Sequence, residues 1–327
     1  MEVGMAEPAG MHQAVRAVVD AVTAESVAAL RGSIADRMLQ PARFGGAALR
    51  ADEFIAAICE LSALDGSSGW LIAAYNAAAN EVAALPGDTA DEIWAADSAT
   101  LVATSYRADG RLDANGRLSG RWASVLGAAD ADWLLLSTSG GRRVLLPCSA
   151  VRIDAVRTSA GLDAEGTRDV SVYEAPTDPR HVFTGPRDSV AALAAAGMAA
   201  VVVGTADGVW RRCVDQMRRR LATSYGGDQV TTAAAAQVAR AASDVDAAKL
   251  QVAASLGDGE VAATTWACHQ AVARARDAAD RLLAVSRSAL DASDPVAGQW
   301  TALHTAARIA VVHLDDLEHQ AAQAVTE

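Results

Sequence analysis

The C-terminal part of this chain consists of four long helical segments separated by short breaks. The breaks contain glycine or proline, which end helices because glycine adopts non-helical backbone conformations and proline lacks an amide donor. Long helices joined by short connections are typical of an antiparallel four-helix bundle. We therefore predict a C-terminal bundle over residues 186–327, with helices over 189–224, 229–256, 260–291 and 298–325.

Residues 1–98 also follow helical spacing and are predicted to form an N-terminal helical domain. Apolar side chains recur every three or four residues over Val15–Val22 and again over Phe54–Leu61. A further helix is predicted from Ser67 or Ser68 to Leu85, and a shorter one around Trp94. The chain is thus predicted to begin and end with helices.

Residues 99–185 have the short strands and frequent turns of a middle β domain. Asn115-Gly116 is predicted to be the tip of a hairpin, because this dipeptide readily adopts the positive φ angles of a tight turn. Short apolar runs bounded by turn residues predict strands at 133–136, 144–146, 151–153 and 170–173. The predicted fold class is mainly α with a small β domain.

Charge and hydropathy exclude several classes of partner. The chain has 28 Lys and Arg against 40 Asp and Glu, a formal net charge of −12. Binding to nucleic acid needs clustered basic residues, so no nucleic-acid partner is predicted. The most apolar stretch, Val190–Val203, is shorter than the roughly 20 residues that span a bilayer, so we predict no membrane contact and a cytoplasmic location. The four cysteines form no CxxC motif and are predicted to be free thiols.

Common catalytic and cofactor motifs are missing from the sequence. It contains no GxGxxG sequence opening a helix after a strand, no GxxxxGK[ST] loop and no GxSxG elbow. A di-iron bundle site would need paired Glu-x-x-His motifs, and the nearest pattern is a single Asp316-x-x-His319. No metal site and no nucleophilic serine are therefore predicted.

Four strings along the chain carry a family resemblance. They are Gln40-Pro41-x-Arg43-Phe44-Gly45-Gly46, Leu64 to Trp70 with its SSGW ending, Asn115 to Trp122 followed by Ala131-Asp132-Trp133, and Gly161 to Val170. In this order and over residues 40–185, they resemble the acyl-CoA dehydrogenase superfamily. The likeness is greatest to its oxygenase branch, the two-component flavin-dependent monooxygenases.

This resemblance implies an architecture and an activity. The expected fold is an N-terminal helical domain, a central β-barrel or sheet and a C-terminal four-helix bundle. The expected activity is that of a monooxygenase component that hydroxylates an aromatic or polycyclic small molecule with O2 and reduced FAD or FMN. The flavin would come from a separate reductase, and the chain would form a homodimer or homotetramer.

The resemblance also implies candidate catalytic residues. Flavin hydroxylation uses a base or hydrogen-bonding group near the substrate hydroxyl, and His304 and His313 are the candidates. His304 follows Trp300 where the family places a histidine in an ungapped alignment, whereas His313 requires a slip of one turn. Nine residues separate the two, which is two and a half helical turns, so at most one is expected to face the pocket. Either could instead satisfy a structural hydrogen bond.

Candidates for cofactor and substrate contacts complete the implied site. Arg218 and Arg219 could bind flavin phosphate, because arginine can bind a phosphate group through two hydrogen bonds. They belong to a cluster of arginines that could equally form a solvated face. The tryptophans could equally pack in a core or an interface. The implied cofactor contacts are Trp122, Ser124, Arg218, Arg219 and Trp300, and the implied substrate contacts are Trp70, Tyr75 and Asn76.

Three departures from the family pattern keep a second function open. Val125 or Leu126 stands where the family has a serine near the flavin, unless Ser124 takes that place. Ala77–Ala79 stand where many members have a histidine, and Ala297–Ala302 keep only the tryptophan of the family's QR-x-WRD stretch. The alternative is a flavin-less member, either a non-catalytic partner subunit or a scaffold adapted to other chemistry.

A divergent acyl-CoA dehydrogenase is a third possibility. That activity requires a carboxylate base, usually a glutamate of the bundle region, and no glutamate lies between Glu174 and Glu260. Asp207 or Asp215 could serve in its place. This branch is the less favoured one.

Overall fold

The computed structural model describes residues 33–154, 166–223, 230–257, 259–285 and 294–325. The predicted helix over Val15–Val22, the string that begins at Gly161 and the break at Gly226-Gly227 lie outside the described residues, wholly or in part. The elements below are numbered in chain order within the described ranges.

Three α-helices precede the sheet: α1 Ala51–Leu64, α2 Gly66–Ala83 and α3 Thr89–Trp94. Helix α1 begins with a capping interaction, because the Arg50 amide donates to Glu53 Oε2 at 2.9 Å. Asp65 caps α2 by accepting hydrogen bonds from the amides of Ser67 and Ser68. These caps explain why α2 begins at the SSGW string.

A seven-stranded mixed sheet follows. Its spatial order is β5-β6-β2-β1-β3-β4-β7, and β1 pairs in parallel with β3 while the other neighbours are antiparallel. The strands are β1 Val102–Leu112, β2 Arg117–Val125, β3 Trp133–Thr138, β4 Arg142–Pro147, β5 Arg152–Ile153, β6 Arg168–Pro176 and β7 Val182–Thr184.

The hairpin between β1 and β2 confirms the predicted turn. Gly116 has φ +72°, which glycine adopts without steric cost. The Asp113 side chain accepts hydrogen bonds from the amides of Asn115 and Arg117 at 2.9 and 2.8 Å. The turn therefore fixes the register in which Gly110 faces Gly120.

Four long helices form the bundle: α4 Asp188–Thr223, α5 Thr232–Ala254, α6 Val261–Val285 and α7 Pro295–Val325. Helix α4 packs against α1, α2 and the other three bundle helices. By length and composition it could span a membrane, but 89% of its apolar window is buried inside the protein. It is the central core helix of the described structure.

Helices α1 and α4 approach each other closely at two glycines. A Cβ atom on Gly204 would lie 2.3 Å from the Cys59 carbonyl oxygen, and one on Gly208 would lie 2.4 Å from that of Ala63. Only glycine allows this backbone contact. All four cysteines of the chain, Cys59 among them, are free thiols.

Helix α7 links the bundle to the sheet, because it packs against α4 and α6 and also against β1 and α2. The contact between α7 and β1 creates the cleft described next.

Candidate active site

A narrow cleft lies where α7 crosses the first two strands. Its volume is about 70 Å³, which holds a few water molecules. It brings together His313 and Ser124, two of the residues implied by the sequence. The lining consists of residues 104–107 of β1, residues 123–126 at the end of β2, and Ile309, Val312, His313 and Asp316 of α7.

His313 is held against an aromatic ring of β1. Its imidazole meets Tyr106 in a T-shaped arrangement, with ring centroids 5.2 Å apart and planes at 81°. Burial lowers the pKa of His313 to about 4, and the positive charge of Arg143 acts in the same direction. The imidazole is therefore neutral at pH 7 and can accept a proton.

Asp316 lies on the same face of α7, three residues after His313, and also lines the cleft. Burial raises its pKa to about 6, although nearby Arg107 opposes the shift. Arg107 itself donates from Nε to Asp109 Oδ2 at 2.9 Å. The cleft thus holds a neutral imidazole and a carboxyl group that titrates just below neutral pH, and the sequence pointed to Asp316 only as part of an incomplete metal motif.

The β2 side of the cleft has a strained backbone. Ser124 has φ +57°, which is uncommon for a residue other than glycine. Its amide donates to Asp169 Oδ1 at 2.9 Å, and this bond holds the conformation. The next two residues, Val125 and Leu126, are buried and apolar. Ser124 is therefore the hydroxyl-bearing residue of β2 at the cleft.

A buried ion pair lies behind the cleft. Arg143 of β4 donates to Glu81 of α2 through two bonds, Nε to Oε1 at 2.7 Å and Nη2 to Oε2 at 2.8 Å. Arg143 is 0% exposed and Glu81 is 2% exposed. The Arg143 guanidinium lies 4.6 Å from the centre of the Tyr106 ring, and the Tyr106 hydroxyl donates to Glu81 Oε2 at 2.9 Å. The three side chains form one network.

A larger cavity lies on the other side of this network. Its volume is about 350 Å³, and it lies between the end of α2, strands β4 and β7, and the start of α4. Glu81 lines this cavity and Tyr106 lines the cleft. The hydrogen bond between Glu81 and Tyr106 therefore joins the walls of the two cavities.

Trp122 does not reach the cleft, which corrects its assignment as a cofactor contact. The side chain is 0% exposed and lies in the apolar core of the sheet. Its Nε1 donates to the backbone oxygens of Arg107 and Ser137 at 3.1 and 3.0 Å. The tryptophan holds the sheet together, as the packing alternative expected.

Asn76 and Trp70 are also internal, which corrects their assignment as substrate contacts. The Asn76 amide donates to the backbone oxygens of Ala35 and Ile72, and its Oδ1 accepts from the Leu39 amide. Trp70 is 3% exposed within the main core. Both side chains pack inside the helical part of the protein.

Tyr75 lies beside the end of β2 but does not line the cleft. Its hydroxyl donates to the Gly127 carbonyl oxygen at 3.1 Å. A Cβ atom on Gly127 would lie 2.5 Å from the Tyr75 ring, so the two residues are in direct contact. Tyr75 therefore supports the turn that follows Leu126.

His304 and Trp300 lie away from the cleft, between α6 and α7. Asp280 Oδ1 lies 2.8 Å from both Trp300 Nε1 and His304 Nε2, and the two rings are 4.3 Å apart. The His304 side chain is 32% exposed. This cluster joins two helices at the surface of the chain and lies outside the cleft, so the catalytic and cofactor roles of His304 and Trp300 stay predictions.

Arg218 and Arg219 face solvent near the C-terminal end of α4. Arg218 is 75% exposed and lies 3.7 Å from Asp215. Arg219 Nε donates to the Asp215 carbonyl oxygen at 3.3 Å. Neither lines the cleft, and both alternatives, a solvated face and a contact with flavin phosphate, stay open for them.

Asp207 is engaged in ion pairs and is a poor candidate base. Its Oδ2 lies 2.6 Å from Arg211 Nη2 and 2.8 Å from Lys249 Nζ. Arg211 also binds Glu60. The cluster links α1, α4 and α5 and gives Asp207 a structural role.

No known protein-family model matches this chain. The oxygenase subunit HsaA of a flavin-dependent monooxygenase from Rhodococcus jostii is 24% identical over 267 residues, which cover 72% of this chain and 69% of that protein. The oxygenase component of an FADH2-dependent resorcinol hydroxylase from a Rhizobium species is 28% identical over 177 residues, covering 50% of this chain and 43% of that protein.

Solved structures show the same architecture. XiaF from a Streptomyces species, in complex with FADH2 and glycerol, has a TM-score of 0.78 at 19% identity. The superposition covers 97% of this chain and 93% of that one. This chain has the acyl-CoA dehydrogenase fold. Its relatives are oxygenase subunits of flavin-dependent monooxygenases, so the predicted resemblance and fold class are confirmed.

The acyl-CoA dehydrogenase fold of this chain has a cleft with suitable polar groups but little space. Ser124, Arg107 and His313 could bond the nitrogen and oxygen atoms of a flavin ring. The cleft volume of about 70 Å³ is far below the roughly 300–1,000 Å³ of small-molecule sites. In this conformation, a three-ring isoalloxazine does not fit beside Ile309, Val312 and His313.

The described residues contain no group of three or more His, Cys, Asp or Glu that could hold a metal ion. The titratable pair His313 and Asp316 is therefore the chemistry that this cleft offers.

Proposed function

We propose that this chain is the oxygenase component of a two-component flavin-dependent monooxygenase. The proposal rests on one observation: a neutral imidazole, His313, lies between sheet and bundle in a chain whose relatives are oxygenase subunits and hydroxylases. The substrate would be an aromatic or polycyclic hydroxyl compound. Reduced FAD or FMN would come from a separate reductase and, with O2, would supply the oxygen-transfer chemistry.

In this proposal the chain contributes a hydrogen-bond acceptor for the substrate. The neutral His313 accepts a hydrogen bond from the substrate hydroxyl, which orients the substrate and makes its ring more electron-rich. Asp316 and Arg107 add charged groups to the lining of the cleft. Homodimer or homotetramer formation belongs to the proposal and would be measured by light scattering.

The first experiment is an anaerobic titration of the purified protein with reduced FMN and reduced FAD. We expect saturable binding in the micromolar range, followed by formation of hydroxylated product when O2 and a phenol are added. His313→Leu, which removes the hydrogen-bond acceptor, is expected to lose hydroxylation by about 100-fold while the protein stays folded. Absence of binding at high micromolar flavin in a folded protein would refute the proposal.

A flavin-less member is the second candidate, and the small cleft favours it. Val125 and Leu126 add apolar side chains where the family has a serine. Under this alternative, neither flavin form binds and the protein has no absorbance near 450 nm after incubation with oxidised flavin. The same titration therefore separates the two functions.

A further inference from the structure

The network behind the cleft contains a buried ion pair, which is weak evidence for a stabilising role. Glu81 and Arg143 are charged groups with almost no exposure, at 2% and 0%. Removing two charges from water costs several kcal/mol per ion, so a buried pair often adds little net stability over apolar residues. We therefore looked for a functional role of the Glu81–Arg143 ion pair in its contacts with the cleft.

Tyr106 is the side chain that this pair fixes in place. Its hydroxyl donates to Glu81 Oε2 at 2.9 Å, while the Arg143 guanidinium lies 4.6 Å from the centre of its ring. Arg143 is in turn held by the Ser105 carbonyl oxygen and by Ser137 Oγ, both at 2.6 Å. The orientation of the Tyr106 ring is thus set from two sides.

The fixed ring contacts the imidazole in the cleft. The T-shaped contact of 5.2 Å between Tyr106 and His313 joins the buried network to a cleft residue. Among the described residues, neither nitrogen of His313 has a hydrogen-bond partner. The aromatic contact therefore replaces the carboxylate or carbonyl group that usually orients a functional histidine.

We propose that Glu81, Arg143 and Tyr106 are positioning residues that fix the orientation of the His313 imidazole and keep it uncharged. Tyr106 sets the ring plane, and the positive charge of Arg143 disfavours a second cation beside it. The use of this arrangement in hydroxylation rests on the proposed function, whereas the arrangement itself does not.

Other charged groups lie around the cleft. Arg107 of β1 and Asp316 of α7 line it, and Asp109 of β1 is close enough to Asp316 to raise the pKa of that carboxyl group. Glu81 of α2 is neutralised by its bonds to Arg143. Burial and Arg143 prevail, since the pKa of His313 is lowered to about 4.

The test is a histidine titration by NMR on flavin-free protein with isotope-labelled imidazoles. His313→Gln identifies the His313 signal among the six histidines. In Tyr106→Leu, we expect the His313 midpoint to rise by about one pH unit or more, because the fixed ring is replaced by a mobile side chain and water. In Tyr106→Phe, which keeps the ring beside Arg143 but loses the bond to Glu81, the midpoint should rise by less than in Tyr106→Leu.

If Tyr106→Leu does not fold, a second variant tests the same expected rise of the His313 midpoint. Glu81→Gln with Arg143→Met replaces the ion pair by neutral groups of similar size and is expected to raise the His313 midpoint in the same way. The matched control is Trp133→Leu, which removes an equivalent T-shaped contact to His181 at 5.7 Å. It should shift the His181 signal and leave His313 unchanged.

The proposal is overturned if Tyr106→Leu and the double variant Glu81→Gln with Arg143→Met, when folded, keep the His313 midpoint within about 0.3 pH unit of the original. It is also overturned if Tyr106→Phe shifts the midpoint as far as Tyr106→Leu. Because no flavin is present, these outcomes are independent of the proposed function. A protein that passes this test yet binds no flavin would refute the monooxygenase proposal alone.

Discussion

At the scale of single residues, the environment of each charged side chain decides its energetic weight. Glu81 and Arg143 are buried and joined by two short bonds, whereas Asp178 and Arg180 form a pair on the surface with similar distances. In a low-dielectric interior, loss of one partner leaves the other charge without compensation. The two pairs therefore offer a direct comparison.

Glu81→Ala is expected to lower the free energy of unfolding by about 3–5 kcal/mol, because Arg143 is left buried and unpaired. Urea unfolding followed by circular dichroism measures this loss. Asp178→Ala is the matched control and should leave the midpoint unchanged. A loss of similar size in both variants would contradict the assignment of Arg143 to the interior.

At the scale of elements, the close packing of α1 against α4 depends on glycine, which has no Cβ atom. The parallel contact between α1 and α4 passes through Gly204, whose Cβ would clash with the Cys59 carbonyl oxygen at 2.3 Å. Helix α7 contains Gly298, where an added Cβ would meet nothing within 4 Å. Alanine at these two positions should have opposite effects.

Gly204→Ala is expected to destabilise the protein by about 1–3 kcal/mol, since α1 must move away from α4. Gly298→Ala should be neutral or stabilise by up to about 1 kcal/mol, because alanine restricts the unfolded chain and favours helix. Thermal unfolding of the two variants side by side is the measurement. Equal effects would show that the two helices do not touch through their backbones.

Helix α7 also controls the width of the cleft. Val312 lines the cleft and its neighbour Val311 does not. Under the proposed function, Val312→Ala should strengthen binding of reduced flavin by about tenfold, since the site has less side chain to displace. Val311→Ala is the control and should bind as the original protein does. Equal affinities in the two variants would show that α7 does not limit access.

Local rules account for the elements that could be predicted from the sequence. The hairpin at Asn115-Gly116 and the helix that starts after Asp65 follow from turn and capping preferences of a few neighbouring residues. The pairing of Glu81 with Arg143 could not be predicted, because the two residues are 62 positions apart and meet only through packing of α2 on the sheet.

The two candidate histidines of α7 also show that sequence alone does not predict which side chain reaches the cleft. His304 and His313 are both plausible from spacing, and only the packing of α7 against β1 places His313 in the cleft. Asp316 was visible in the sequence as part of an incomplete metal motif. Its role beside His313 depends on burial, which a single sequence does not reveal.

At the scale of the whole molecule, the two cleft groups give opposite dependences of stability on pH. The pKa of Asp316 is raised to about 6 in the folded protein, so the unfolded chain loses that proton first as pH rises. Stability contributed by this group therefore falls between about pH 4 and 6 and stays low above that range. Asp316→Asn removes the penalty.

The Asn variant is expected to gain about 1 kcal/mol at pH 7–8, after allowance for solvent screening of a half-buried group. This corresponds to a rise of about 2 °C in Tm. At pH 4.5 the gain should nearly vanish. A gain independent of pH would show that packing, not charge, causes it.

His313 gives the opposite dependence of folding stability on pH. Because its folded pKa is lowered to about 4, the unfolded chain takes up a proton as pH falls below about 6.5, and stability is lost down to pH 4. His313→Gln should therefore be more stable than the original protein at pH 5 and no more stable at pH 8. Thermal scans at the two pH values test this sign.

The chemistry of the native cysteines allows a label to be attached to α7 alone. Burial raises the pKa of Cys59 and Cys268 to about 12 and that of Cys148 to about 11, and also raises that of Cys213. Few thiolates form at neutral pH, so these groups react slowly with maleimides or nitroxide reagents. An extra cysteine placed on an exposed turn of the last helix could thus carry a spin label while the native four stay in place.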